Sequence, residues 1–266
     1  MKKRSRSINY KIALILVTLV VLFVVVGIFF TPYDPNAMNG QAKNMAPNLA
    51  HWFGTDNYGR DILSRVMEGA RTTFIIAVIT VLVGGGIGTI VGAITGYVGG
   101  GIDEILMRIN DGIAAFPKVL LALILISVVG TGKYNIIVAL SVVFIPSFAR
   151  IMRSEYATQK NMDYVKNARI MGATHFRIMF LHIFPNTIPV LLSSILIGFN
   201  NAILAEAGMS YLGLGVQPPD ASLGRMLSEA QTYLLSAPWY AIFPGVMIII
   251  TVLGFSLLGD ELVHER

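Results

Sequence analysis

Residues 12–30 read IALILVTLVVLFVVVGIFF, nineteen positions without a charge. At about 1.5 Å per helical residue this run covers roughly 28 Å, close to the ~30 Å hydrocarbon core of a bilayer. Lys2, Lys3, Arg4 and Arg6 precede it, as they precede the core of a signal peptide. A signal-peptide core is shorter, about 7–15 residues, and small residues follow it at a cleavage site. Here Thr31-Pro32-Tyr33-Asp34-Pro35 follows, so the run reads as an uncleaved first span.

Working outward, further apolar runs occupy 73–97, 105–129, 136–151, 185–205 and 239–258. Together they predict an all-α integral membrane domain of about six spans covering 1–266. The third run is impure, carrying Arg108, Asn110, Asp111 and Lys118. Composition agrees: 55% of residues are hydrophobic and 13% charged, against about 25% charged in soluble domains. The net charge of +5 is carried by residues flanking the runs, which fits membrane-flanking charge better than nucleic-acid binding. The absence of cysteine excludes disulfides, thiol nucleophiles and cysteine zinc sites.

Lys and Arg in the loops predict orientation. With residues 1–11 cytoplasmic, that side collects Lys2, Lys3, Arg4, Arg6, Lys11, Arg108, Arg150, Arg153, Lys160, Lys166, Arg169, Arg177 and Arg266. The outer side holds Lys43, Arg60, Arg65, Arg71, Lys133 and Arg225. Thirteen against six places both termini in the cytoplasm. The segments 31–71 and 206–238 are then outer loops, and 152–184 is the long inner one.

Gly84, Gly88, Gly92 and Gly96 recur every fourth residue along one face of the second span. A face without side chains lets another helix approach closely, as a fixed packing seam or as a moving interface. Gly130-Thr131-Gly132-Lys133 ends like a phosphate-binding loop, but Ser127 stands where its first glycine belongs and Tyr134 replaces its hydroxyl residue. No nucleotide site is expected in this chain. Glu104 and Arg108, and Arg108 and Asp111, have the spacing for pairing along one helix. Asn200 and Asn201 lie deep in the fifth span with Glu206 near its outer end, as candidates for the solute pathway or for helix-to-helix bonds. His51, His175, His182 and His264 have no spacing for a local metal site.

The inner segment 161–184 reads NMDYVKNARIMGATHFRIMFLHIF, followed by Pro185-Asn186. Asn161 or Asp163 can cap a short helix with Val165, Ala168 and Met171 on its apolar face, ending at Gly172. Thr174 can cap a second, with Phe176, Met179, Phe180 and Ile183 on one side. Such a segment can lie on the membrane surface or dock into a groove of a cytoplasmic partner.

The spacing Ala168-x-x-x-Gly172, with Pro185 after it, resembles the inner loop of binding-protein-dependent ATP-binding-cassette importer permeases. Lys166, Asn167, His182 and Phe184 depart from that pattern. The stretches His51–Asp61 (HWFGTDNYGRD), Tyr211–Pro219 (YLGLGVQPP) and Phe255–Asp260 (FSLLGD) resemble the dipeptide, oligopeptide and nickel branch of the family. The resemblance implies a type I importer permease working beside a second permease, two ATPase subunits and an external solute-binding protein. ATP would be used by the partners, with no cofactor bound by this chain. Ala168, Gly172, Ala173, Arg177 and Pro185 would form the ATPase-coupling loop. The solute would be a peptide or nickel; His51-Trp52 and Ala207-Gly208-Met209-Ser210 resemble nickel-type permeases. Two rival classes are an intramembrane enzyme, for which HExxH and GxSxG are absent, and a self-sufficient secondary transporter, for which no internal symmetry is visible.

Overall fold

A computed structural model describes residues 8–264; Lys2, Lys3, Arg4, Arg6 and Arg266, which contribute to the expected orientation, lie outside them. Every named element of the described residues is a helix, and the single pairing of extended backbone among them is an isolated bridge between Thr55 and Asp61. Five helices are long and apolar enough to cross a membrane, or six if one bent pair counts as a single span. They are α1 (Ile8–Phe29), α2 (Ile62–Val98), the pair α3 (Gly100–Ala114) and α4 (Lys118–Val129), α5 (Lys133–Gln159), α8 (Phe184–Tyr211) and α10 (Trp239–His264). Between them lie α6 (Asp163–Ile170), α7 (His175–Arg177) and α9 (Leu223–Ala230).

Two of these spans depart from the apolar runs. The run 73–97 sits inside α2, whose 37 residues extend it outward to Ile62. At about 1.5 Å per residue α2 is roughly 55 Å long, well beyond a ~30 Å hydrocarbon core. Its start is set by Asp61, whose carboxylate accepts from the Ser64 amide at 2.8 Å. The run 105–129 is not one straight helix. Pro117 forbids an α conformation at the residue before it, and α3 and α4 meet at 89°.

The glycine ladder is a packing seam. A Cβ on Gly84, Gly88, Gly92 or Gly96 would lie under 3 Å from the carbonyl oxygen of Ser141, Ile145, Ala149 or Arg153, respectively. Both helices advance four residues per contact, so α2 and α5 run parallel with their backbones touching. The apolar core gathers around this pair, with Ala77, Ile136, Leu140, Phe148 and Ala202 buried beside it. The outward face of α1, including Ile15 and Leu22, stays exposed as a lipid-facing surface requires.

A methyl added at Gly92 would meet the carbonyl of Ala149 and the amide of Arg153, whereas one at Gly86 meets nothing within 4 Å. Gly92→Ala is expected to destabilise the folded chain by about 1–3 kcal/mol through overpacking. Gly86→Ala should be neutral or slightly stabilising, because alanine is the better helix former by roughly 1 kcal/mol. Melting curves of the two purified variants would check this; equal melting temperatures would contradict the seam.

Candidate functional site

At the end that the charge bias expects to be cytoplasmic, called inner below with the opposite end called outer, α6 closes as the sequence suggests. Gly172 has φ +82°, its amide donates to Arg169 O at 3.0 Å, and the Ala173 amide donates to Ala168 O at 3.0 Å. These two bonds form a Schellman stop, in which glycine takes the left-handed position without a Cβ penalty. Ala168, Gly172 and Ala173 are therefore one unit of backbone structure. Thr174 Oγ1 accepts from the Arg177 amide at 3.3 Å, as expected of a cap. The start of α6 differs from expectation: Met162 occupies the N-cap position and no side chain caps the helix, so neither Asn161 nor Asp163 serves. Met171 also leaves the apolar face, being 87% exposed, because the Schellman turn swings it outward.

The next turn carries a larger correction. Ile178–Ile183 is a π-helical turn rather than a regular α-helix. Its wider pitch breaks the expected periodicity: Ile178, Met179 and Ile183 are buried while Phe176 and Phe180 point out. Arg177 is exposed, and Pro185 is the second residue of α8, which follows the π-helical turn without a break.

The segment is bolted to the inner ends of α2 and α5. Tyr97 Oη lies 2.9 Å from His175 Nδ1, and Lys160 Nζ donates to Tyr97 O at 3.4 Å. Tyr156 Oη donates to Met179 O at 3.3 Å. Arg153 grips Asp103 with two bonds of 2.5 and 2.6 Å, tying α3 to α5. The expected Glu104–Arg108 pair forms at 2.9 Å. Asp111 instead reaches Arg150 at 2.8 Å, because α5 brings that guanidinium alongside α3. What remains outward is an apolar patch of Ile170, Met171 and Phe176.

The outer end is held by buried charge. Asp56 accepts from the backbone amides of Tyr58 and Arg60 at 2.8 and 2.9 Å and from Arg60 Nε at 2.5 Å. Arg60 then donates to Glu229 at 3.0 Å, Arg225 donates to the same carboxylate at 3.1 Å, and Tyr240 Oη donates to it at 2.7 Å. Arg65, fully buried, lies within 4 Å of both Asp56 and Glu229. The 31–61 segment, α2, α9 and α10 thus meet at one network. Burial pushes the Glu229 carboxyl up, but the Tyr240 hydrogen bond and the charges of Arg65 and Arg60 outweigh it and leave the group below its usual range. His51 lies 2.9 Å from the carboxylate of Asp61, the residue that starts α2.

Of the pathway candidates, Asn200 is buried, Asn201 is exposed, and Glu206 is sealed at 0% exposure with Ser210 Oγ donating to it at 2.6 Å. The structure does not bring the three to one surface. Glu206 faces the packing of α8 on α2 and α9, near Thr73 and Ser222. At the outer end of α8, Gly213 at φ +79° makes a second Schellman stop through Leu214 N to Met209 O at 2.9 Å. Sequence reading missed Glu229 and Tyr240, which meet Arg60 from 169 and more residues away; no local pattern marks such a pairing. Among the described residues no group of three His, Asp or Glu side chains could hold a metal.

These features define a multi-pass membrane subunit whose 161–184 segment is bonded to the ends of α2 and α5. Residues 88–264 match the family described as binding-protein-dependent transport system inner membrane component, and the chain belongs to that family. It is 41% identical over 247 residues to the glutathione transport system permease protein GsiD of Escherichia coli O6:K15:H31 (strain 536 / UPEC), covering 91% of this chain and 82% of that protein. The figures are the same for GsiD of Shigella boydii serotype 4 (strain Sb227). A solved structure of the MetNI methionine ABC transporter in inward-facing form shares the fold, with TM-score 0.56 and 20% identity over 77% of this chain and 95% of that one. The protein is the permease subunit of an ATP-binding-cassette importer. Such an importer has partner ATPase and binding-protein components, and hydrolysis resides in the separate ATPase subunits.

Glu229→Gln should cost about 1–3 kcal/mol, because it removes one of the two carboxylates that Arg60 and Arg65 share and leaves Asp56 as their counter-ion. Since the folded carboxyl titrates below the unfolded value of 4.5, its stabilisation is complete above that pH and disappears as pH falls through the lower folded value. Melting of wild type and variant across pH 3–7 (roughly the carboxylate range) should show the two curves converging at the acid end.

Proposed function

We propose that this permease forms half of the solute pathway for a short peptide, paired with a second permease, two ATPase subunits and an external binding protein. It lies in the bacterial inner membrane with both termini cytoplasmic, as the thirteen-to-six charge bias supports. The relatives named for glutathione transport weight the solute towards a peptide rather than nickel.

The observation that carries the coupling role is the Schellman stop at Gly172. It presents Ile170 and Met171 at 83% and 87% exposure on a segment fixed to α2 and α5 from behind. A short helix with an exposed apolar tip and a bonded back is suited to sit in a groove of an ATPase subunit. Ala168, Gly172 and Ala173 supply its shape, Arg177 its polar side, and Pro185 the turn into α8. ATP is bound and hydrolysed by the partners; this chain contributes no cofactor site.

Gly172→Trp is expected to retain the chain in the membrane while uncoupling hydrolysis from uptake. Placing any side chain at φ +82° costs about 1–2 kcal/mol, and the indole would also obstruct the docking face. Affinity purification from gently solubilised membranes should recover two ATPases and a second permease with wild type. ATP-driven uptake of glutathione by the reconstituted complex should fall at least tenfold (about 1.4 kcal/mol) in the variant. Transport by the wild-type chain alone would overturn the proposal.

A further inference from the structure

The 89° break between α3 and α4 opens a cavity of about 240 Å³, bounded by Phe116, Lys118, Leu121, Pro146, Ser147 and Arg150. Lys118 is the single charge in the twelve-residue α4. That helix rises about 18 Å from Lys118 towards the outer end, which places the ammonium at membrane depth. An ionisable group at that depth is expensive and marks either an ion pair or a pathway. Among the described residues no carboxylate pairs with Lys118; its ammonium lies 5.9 Å from the centre of the Phe144 ring. Arg150, on the opposite wall, is already matched by Asp111 at 2.8 Å. The cavity therefore carries one uncompensated positive charge.

Two prolines keep it open. Pro117 prevents α3 from continuing into α4, and Pro146 interrupts the α5 ladder facing the break. Asn110 Nδ2 donates to Pro146 O at 3.4 Å, holding α3 against that interruption. The positive charge thus stands at the first residue of a helix and does not ride on a loop.

We propose that this cavity receives a carboxylate of the solute during passage, with Lys118 as a specificity-determining contact. The inference rests on the peptide-importer reading and narrows it to solutes bearing a free carboxylate. Such a solute brings the counter-charge that the fold withholds, whereas a bare divalent cation is repelled from the same position. Ser147 offers a hydroxyl to the bound oxygens, and Phe116 and Leu121 form the apolar part of the wall.

The chain has no cysteine, so Ser147→Cys gives a single reporter in this subunit, read by the mass of this chain after labelling of the complete importer in membrane vesicles. An anionic methanethiosulfonate should modify it faster than a cationic one, and Lys118→Gln should reduce that ratio about tenfold. Lys118→Arg should preserve it. A reporter inert to both reagents, or a ratio indifferent to Lys118→Gln, would overturn the proposal. In uptake assays, Lys118→Gln should slow free-acid glutathione about tenfold and spare the derivative with both carboxyls amidated; equal loss of both would count against the contact. Wild-type vesicles that take up neither peptide would defeat the peptide reading, while the labelling ratio would still judge the cavity.

Discussion

In a bilayer, apolar side chains gain nothing by leaving lipid for a helix interface, so two long helices adhere through close packing of small residues. The α2–α5 seam meets that constraint with four glycines set against four backbone carbonyls. Everything the permease uses at its two surfaces hangs from the ends of this pair. Asp61 and Arg65 sit at the outer end of α2, and Tyr97 at its inner end. Arg153 and Tyr156 lie on the last turns of α5, where they hold α3 and the π-helical turn. Loss of the seam would detach the 161–184 segment from the Asp56–Glu229 network without touching either one.

The outer network answers a different problem. Carboxylates and guanidiniums removed from water lose hydration worth several kcal/mol each, and attraction offsets this only when every remaining donor and acceptor is bonded. Asp56 meets the condition with two backbone amides and Arg60, and Glu229 meets it with Arg60, Arg225 and Tyr240. Arg65 reaches Pro35 O and the Asn36 side chain at 3.2 and 3.3 Å, which draws the start of the outer segment into the same knot. The long outer segment is consequently ordered without a sheet or a disulfide.

How much of this was legible in the sequence depended on range. Length and charge-free runs revealed the spans, because the bilayer constrains each one separately. The Gly172 stop and the Thr174 cap were legible because they involve neighbours within five residues. The third run was marked as impure by Arg108, Asn110, Asp111 and Lys118, but the apolar pattern continued through Pro117 and concealed the 89° bend. The π turn at Ile178–Ile183 was hidden by the same regularity, since Phe176, Met179, Phe180 and Ile183 fit a 3.6-residue period that the backbone does not adopt. Glu229 and Tyr240 could not be assigned at all: their partners lie on other elements, and one sequence carries no record of such meetings.

The seam also limits how a displacement of the 161–184 segment can travel. Its contacts recur every four residues on both helices, so sliding α2 past α5 to the next register means moving about 6 Å. All four glycines would have to leave their carbonyls together, and close-packed interfaces of this kind jump between arrangements instead of creeping. Smaller displacements leave the pair intact and carry it as one body. Tyr97 and Tyr156 join the 161–184 segment to both members of that pair, so a force on Gly172 is shared between them. The compliant element is then the bent α3–α4 pair, hinged at Ala115-Phe116-Pro117 and tethered to α5 by Asp103 and Asp111. Motion of the rigid pair therefore changes the geometry at the bend first, where Lys118 stands.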